Sequence, residues 1–152
     1  MEGGYMDLES MIDERLVHFG LDVKNKDDAI TKIAHMMLAA GKVADENAYL
    51  EGLYEREREF ETGIGNGIAI PHCKNKCVKD AAFTLVRLNQ AVEWGAMDNL
   101  PVKYVIMLAA PDSKDNVHLD MLAGLARKLM DTGFLNGLLE ADTIDDIRKA
   151  FH

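Results

Sequence analysis

The chain has 152 residues, 48% hydrophobic and 28% charged. That length and balance fit one folded domain with a core that needs no disulfide or metal staple. Its 17 Lys and Arg against 26 Asp and Glu leave a formal charge of −9, which argues against nonspecific nucleic-acid binding and against docking on an anionic membrane, since both need clustered cations.

The longest uninterrupted apolar run, Tyr104 to Ala110, is far short of the roughly 20 residues needed to span a bilayer. Glu2, Asp7 and Glu9 stand where an export signal carries positive charge. The two cysteines, Cys73 and Cys77, make no disulfide framework, so a reducing cytoplasm is the expected compartment. Residues 1–5 read as a disordered lead and residues 6–151 as a single domain, with no linker, repeat or low-complexity tract between them.

In chain order, Val17–Val23 alternates apolar and polar residues and predicts a half-buried strand. Asp27 opens a helix with Ile30, Ile33, Ala34, Met37 and Leu38 on one face and Gly41 as its stop. Asp45 caps a second helix that runs to about Phe60. A glycine-rich turn at Gly63, Gly65 and Gly67 leads into an extended run, Ile68–Ile70, which Pro71 ends. Ala81–Leu88 predicts another strand, and Tyr104–Ala110, apolar at every position, a central strand covered on both faces. Asn116 caps a helix to about Met130, a short helix follows around Phe134–Leu139, and Thr143 with Asp146 marks the start of the last one. Strands interleaved with paired helices predict an α/β fold, with helices on both faces of a mixed or largely parallel sheet.

The densest chemical signal is Thr62-Gly-Ile-Gly-Asn-Gly-Ile-Ala-Ile-Pro-His72. No Gly-Lys-Ser/Thr completes a P-loop, and the glycine spacing and helix-to-strand order miss the dinucleotide fingerprint. Two readings stay open: a plain tight turn, or a turn whose bare N–H groups approach an anion. Pro71 holds Ile70 extended and presents His72 on a stiff backbone, either as a polar loop residue or as a nucleophile. His118 is in line with Leu122, Leu125 and Leu129 but in the first helical turn, which suits an anion or, equally, a half-buried imidazole bonded to a carbonyl. Arg56 interrupts the stripe Tyr49, Leu53, Phe60, and either pairs with Glu57 or turns off the stripe toward a phosphate. Glu55–Glu61 reads as a solvated acidic face or as a dock for a basic partner. His72, Cys73 and Cys77, with His118 as a further donor, fall short of an ordinary zinc ligand set, so no metal is expected. His18, His35 and His152 read as surface residues.

Arg56-Glu57, the Thr62–His72 string and His118-Leu-x-x-Leu-x-x-Leu-Ala together resemble the enzyme IIA domain of the fructose/mannitol type (EIIA type 2) of the bacterial phosphoenolpyruvate:sugar phosphotransferase system. The likeness extends from about Met6 to Phe151. It implies a three-layer α/β/α sandwich around a central mixed, mostly parallel sheet. It also implies that His72 is phosphorylated by phospho-HPr and passes the group to enzyme IIB beside a IIC permease. His118 and Arg56 would then stabilise the phosphoryl group, with Thr62, Gly63, Gly65 and Gly67 as phosphate-binding positions and no cofactor. The alternative within the same family is a nitrogen-related regulatory protein whose phosphorylation state controls partner binding. Cys73, where a glycine often follows the histidine, and Phe60-Glu61, where smaller residues usually precede the threonine, depart from the pattern.

Overall fold

The computed structural model describes residues 7–113 and 115–152, so the expected lead at 1–5 lies outside the described residues. β1 covers Val17–Leu21 and stops two residues earlier than predicted. Its register against the neighbouring strand slips at Gly20, whose φ is 83°. Asn25, not Asp27, caps α1, Lys26–Ala39, by accepting from the Asp28 N–H at 2.8 Å. Asp27 and Asp28 instead sit in the first turn, where carboxylates favour the helix dipole. Gly41 (φ 75°) follows that helix as expected. α2, Glu46–Glu59, begins at Asp45, whose carboxylate accepts from the Ala48 N–H at 3.1 Å.

The glycine segment forms a hairpin. β2 is Gly63–Gly65 and β3 is Ile68–Ala69, joined through Asn66 and Gly67 at φ 57° and 78°. Asn-Gly suits a two-residue connection in which both central residues take positive φ. A strand not predicted, β4 (His72–Asn75), comes next.

Each of the two longer apolar runs divides. Ala81–Leu88 becomes β5 (Ala82–Phe83) and β6 (Leu85–Val92), while Tyr104–Ala110 spans parts of β7 (Val102–Val105) and β8 (Leu108–Pro111). The strands assemble as a five-stranded sheet ordered β1-β6-β7-β3-β2 and a three-stranded sheet ordered β4-β8-β5. Three pairings are parallel and three antiparallel, so the mixture is even rather than dominated by parallel pairs.

The three neighbouring runs β3–β4, β5–β6 and β7–β8 all change sheet at one level. Backbone hydrogen bonds stitch that level together: Ile106 N–H to the Ala69 carbonyl at 2.9 Å, Leu108 N–H to the Pro71 carbonyl at 2.9 Å, and Thr84 N–H to the Met107 carbonyl at 2.8 Å. The Thr84 hydroxyl accepts from the Met107 N–H at 3.0 Å, so a side chain fills a gap in the ladder.

α3 (Val117–Leu129), α4 (Thr132–Glu140) and α5 (Ile144–Phe151) complete the chain. Thr143 caps α5 through the Asp146 N–H at 3.1 Å, and Asp146 accepts in return from the Asp142 N–H at 3.0 Å. Asn116 precedes α3 without a side-chain cap of its own.

The run at 104–110 shows why the layers are three. Val105, Met107 and Ala109 pack into a core with α1 and α2, whereas Tyr104, Ile106, Leu108 and Ala110 pack into a second core with α3, α4 and α5. Strand geometry sends successive side chains to opposite faces, so an all-apolar run needs helices on both sides. This is the expected α/β/α arrangement.

α2 lies close on β4 at Gly52. A methyl group there would collide with the Cys73 sulfur. Gly52→Ala is expected to cost about 1–3 kcal/mol through overpacking, read as a lowered urea midpoint at unchanged slope. Cys73→Ala in the same chain should return most of that loss by making room for the methyl.

Candidate functional site

His72 opens β4 directly after Pro71, whose carbonyl is bonded to Leu108 and whose neighbour Ile70 is bonded through its N–H to the Thr62 carbonyl at 2.8 Å. The backbone that carries the imidazole is therefore tied on both sides. The ring is half-buried, and its Nδ1 lies 2.8 Å from the carbonyl oxygen of Ile70. A carbonyl can only accept, so Nδ1 carries the proton and donates it. In the neutral ring Nε2 then holds the free lone pair.

His118, the second residue of α3, stands against His72 with ring centroids 5.3 Å apart and planes inclined at 56°. Its Nδ1 is buried with no hydrogen-bond partner among the described residues. Arg56 comes from the last turn of α2. Together with Lys74, these three side chains line a pocket of about 360 Å³, closed on the α3 side by Asp115, Asn116, Leu119 and Leu122. A wider, shallower groove of about 850 Å³ runs along the outer face of α2 beside Asn75 and contains none of the predicted site residues.

Burial and neighbouring charge favour the neutral form of both histidines. Burial pushes the His72 imidazole below the ordinary histidine range, and the Arg56 charge adds to this; the Ile70 hydrogen bond and the Glu57 carboxylate act in the opposite sense. His118 is lowered first by burial and then by His72, Arg56 and Lys74.

Arg56 is not buried in the apolar stripe, and Glu57 is not its partner. The Arg56 side chain is 38% exposed, and its guanidinium pairs with Glu59 at 3.3 Å and lies over the Phe60 ring at 5.7 Å. Residues adjacent in a helix point about 100° apart, which sends Glu57 elsewhere: to Lys26 at 2.8 Å and to the Thr62 hydroxyl. The stretch from Glu55 to Glu61 is thus not uniformly solvated.

Thr62 and the three glycines are placed beside the pocket rather than in its lining. The Thr62 hydroxyl donates to Glu57 and accepts from the Trp94 indole at 3.1 Å. Gly63 has no room for a side chain against Ala96 and Trp94, and its carbonyl accepts from the Met97 N–H at 3.2 Å. The hairpin fixes the strand that delivers His72.

Strand alternation separates the cysteines from the histidine. Cys73 faces the core under α1 and α2, with Cys77 packed against that core, while His72 faces the pocket. Burial pushes the Cys73 thiol up to about 12 and raises Cys77 as well, which disfavours the thiolate a metal needs. Among the described residues no three His, Cys, Asp or Glu side chains converge as a metal site. His18, His35 and His152 are exposed, as expected. Lys74 is the pocket residue that sequence reasoning missed. It shares the His72 face of β4, but its polar run, Lys74-Asn75-Lys76, reads as loop. No helix among the described residues is long and apolar enough to cross a membrane.

Comparison with known proteins gives these features a family. Residues 10–152 match the family model described as phosphoenolpyruvate-dependent sugar phosphotransferase system, EIIA 2. The chain is 36% identical over 125 residues to a fructose-specific EIIA component of Haloferax volcanii, covering 80% of this chain and 81% of that one. It is 33% identical over 142 residues to a fructose-specific EIIABC component of Bacillus subtilis, where it covers 93% of itself and 22% of the relative's length. The fold is shared with the nitrogen regulatory protein IIA-Ntr of Neisseria meningitidis (TM-score 0.86, 23% identity, 95% and 98% of the two chains). It is shared too with the Escherichia coli mannitol IIA solved in complex with phosphorylated mannitol IIB (TM-score 0.78, 20% identity, 92% and 96%). By this match over nearly its whole length, with the paired histidines and the arginine gathered in one pocket, the chain belongs to the EIIA type 2 family of the phosphoenolpyruvate-dependent sugar phosphotransferase system.

Proposed function

We propose that this chain is a cytoplasmic phosphocarrier that takes a phosphoryl group from phospho-HPr on His72 and hands it to enzyme IIB of a fructose-type permease. The observation that carries the reading is the hydrogen bond from His72 Nδ1 to the Ile70 carbonyl at 2.8 Å, which leaves Nε2 as the free nucleophile facing the pocket shared with His118 and Arg56.

In the first half-reaction the Nε2 lone pair attacks phosphorus in line with the departing nitrogen of the donor phosphohistidine. One N–P bond forms and the other breaks. The Nδ1 proton stays in place, and the Ile70 carbonyl stabilises the positive charge that the ring acquires. Arg56 supplies a permanent cation for the phosphoryl oxygens. His118 supplies an imidazole that is neutral at rest and gains a proton readily once a dianion lies beside it. The second half-reaction runs the same displacement toward the histidine or cysteine of IIB.

The regulatory alternative shares this chemistry at His72 and differs in what reads the phosphorylated state. At 23% identity the likeness to the Neisseria nitrogen regulatory protein is one of fold. The sequence similarity to the fructose-specific EIIA of Haloferax, 36%, favours sugar transfer. Reconstitution with phosphoenolpyruvate, enzyme I, HPr and candidate IIB proteins decides: transfer to a fructose-type IIB supports the carrier, and transfer to none supports the regulator.

His72→Ala is expected to abolish labelling from phospho-HPr; normal labelling of that variant would overturn the assignment. His118→Ala should still accept the group but pass it to IIB about a hundredfold more slowly, the order of loss for one transition-state donor.

The lowered affinity of His72 for protons has a definite sign in solution. Acceptance of phosphate should persist as pH falls through the ordinary histidine range and fail only below it, when Nε2 becomes protonated. Because the unfolded chain binds that proton more readily, folding stability should rise with pH across the same interval. An NMR titration of the His72 ring checks both; a midpoint above about 6.5, the ordinary histidine value, would contradict them.

A further inference from the structure

Glu57 follows Arg56 on the last turn of α2, yet its side chain is 6% exposed and lies against a lysine. One carboxylate oxygen, Oε2, lies 2.8 Å from Lys26 Nζ at the start of α1. The other, Oε1, accepts from the hydroxyl of Thr62, the residue that leads into β2. The chain of contacts continues. Thr62 Oγ1 accepts from the Trp94 indole at 3.1 Å, and Lys26 Nζ donates to the Trp94 carbonyl at 3.2 Å while lying 5.4 Å from the centre of that ring. A single carboxylate thus ties the end of α2 to α1, to the glycine hairpin and to the segment after β6.

Arg56 has only weak restraints of its own. Glu59, its partner at 3.3 Å, is 58% exposed, and Phe60, whose ring it covers, is 63% exposed. An exposed ion pair restrains little, since solvent screens it and both side chains are long. The neighbouring Glu57, by contrast, is buried and held from two sides.

We infer that Glu57 is a positioning residue for phosphoryl transfer: by clamping the last turn of α2 to Lys26 and Thr62, it holds Arg56 at the pocket that it shares with His72. The inference rests on the phosphocarrier reading above and adds a function for Thr62, whose hydroxyl serves the clamp.

Coulomb's law separates positioning from a direct charge effect. Removing a negative charge close to an anion site would, by itself, favour arrival of a phosphoryl group. Loss of position would slow it. Glu57→Gln keeps the size of the side chain and an acceptor for Thr62 but drops the charge that Lys26 holds. Single-turnover transfer from phospho-HPr should slow about tenfold, the order of effect of sub-ångström to ångström misplacement, while the HPr concentration for half-saturation stays unchanged. In an Arg56→Ala chain the same change should slow transfer by less than about twofold further, because a residue acting through Arg56 has nothing left to act on. If Glu57→Gln fails to fold, Thr62→Ala opens one arm of the clamp without leaving a charge unpaired, and should show the same dependence on Arg56. Wild-type speed in these single variants, or losses that multiply fully with Arg56→Ala, would overturn the inference while leaving the carrier reading intact. A wild-type chain that takes no label at His72 would remove the carrier reading and this inference with it.

Discussion

At Pro71 the chain has no N–H to offer a ladder, and the arrangement of the site follows from that gap. A strand that meets proline must leave its sheet or end. Here the run β3–β4 passes from the five-stranded sheet to the three-stranded one at Ile70-Pro71, and the two runs beside it cross at Thr84 and at Ile106-Met107. The break leaves the Ile70 carbonyl to the His72 ring, 2.8 Å away. A covalent peculiarity of one residue thereby fixes the tautomer of the next. The imidazole needs no carboxylate partner to orient it.

Charge in the pocket is graded. Arg56 and Lys74 line it as cations, burial and the Arg56 charge favour the neutral form of both imidazoles, and Lys74 adds to this at His118. A site with four fixed positive charges would bind a phosphoryl group too tightly to pass it on. On the phosphocarrier reading proposed above, two permanent cations and an imidazole that protonates on demand would strengthen the hold when the dianion arrives and relax it when it leaves. Around the end of α2 the carboxylates are paired, Glu57 and Glu61 with Lys26 and Glu59 with Arg56, while Asp115 lines the pocket itself.

How much of this was legible in the sequence depended on the range of the signal. Local signals were read well. Asp45, Gly41 and the Thr143–Asp146 pair mark helix ends because capping involves residues two to four apart. Asn25 and Asp27 are both capping types, and only the backbone turn decides between them. The division of the strand at 104–110 was invisible, because every residue is buried in one core or the other and an apolar run carries no trace of where it changes partners. His72, His118 and Arg56 were identifiable as departures from apolar patterns, and the pocket brings them together. The role of the Thr62 hydroxyl was not, since its partners Glu57 and Trp94 are set by how α2 meets the hairpin.

Cys73 shows how a departure near a site is accommodated. The residue after the histidine points away from the pocket, so its identity is decided by packing under α2 rather than by chemistry at His72. A larger side chain on β4 needs a smaller one opposite, and Gly52 supplies it, at the cost of a glycine inside a helix. The helix that bears Gly52 also bears Arg56, one turn later. The packing of α2 on β4 therefore bears on where Arg56 enters the pocket that it shares with His72.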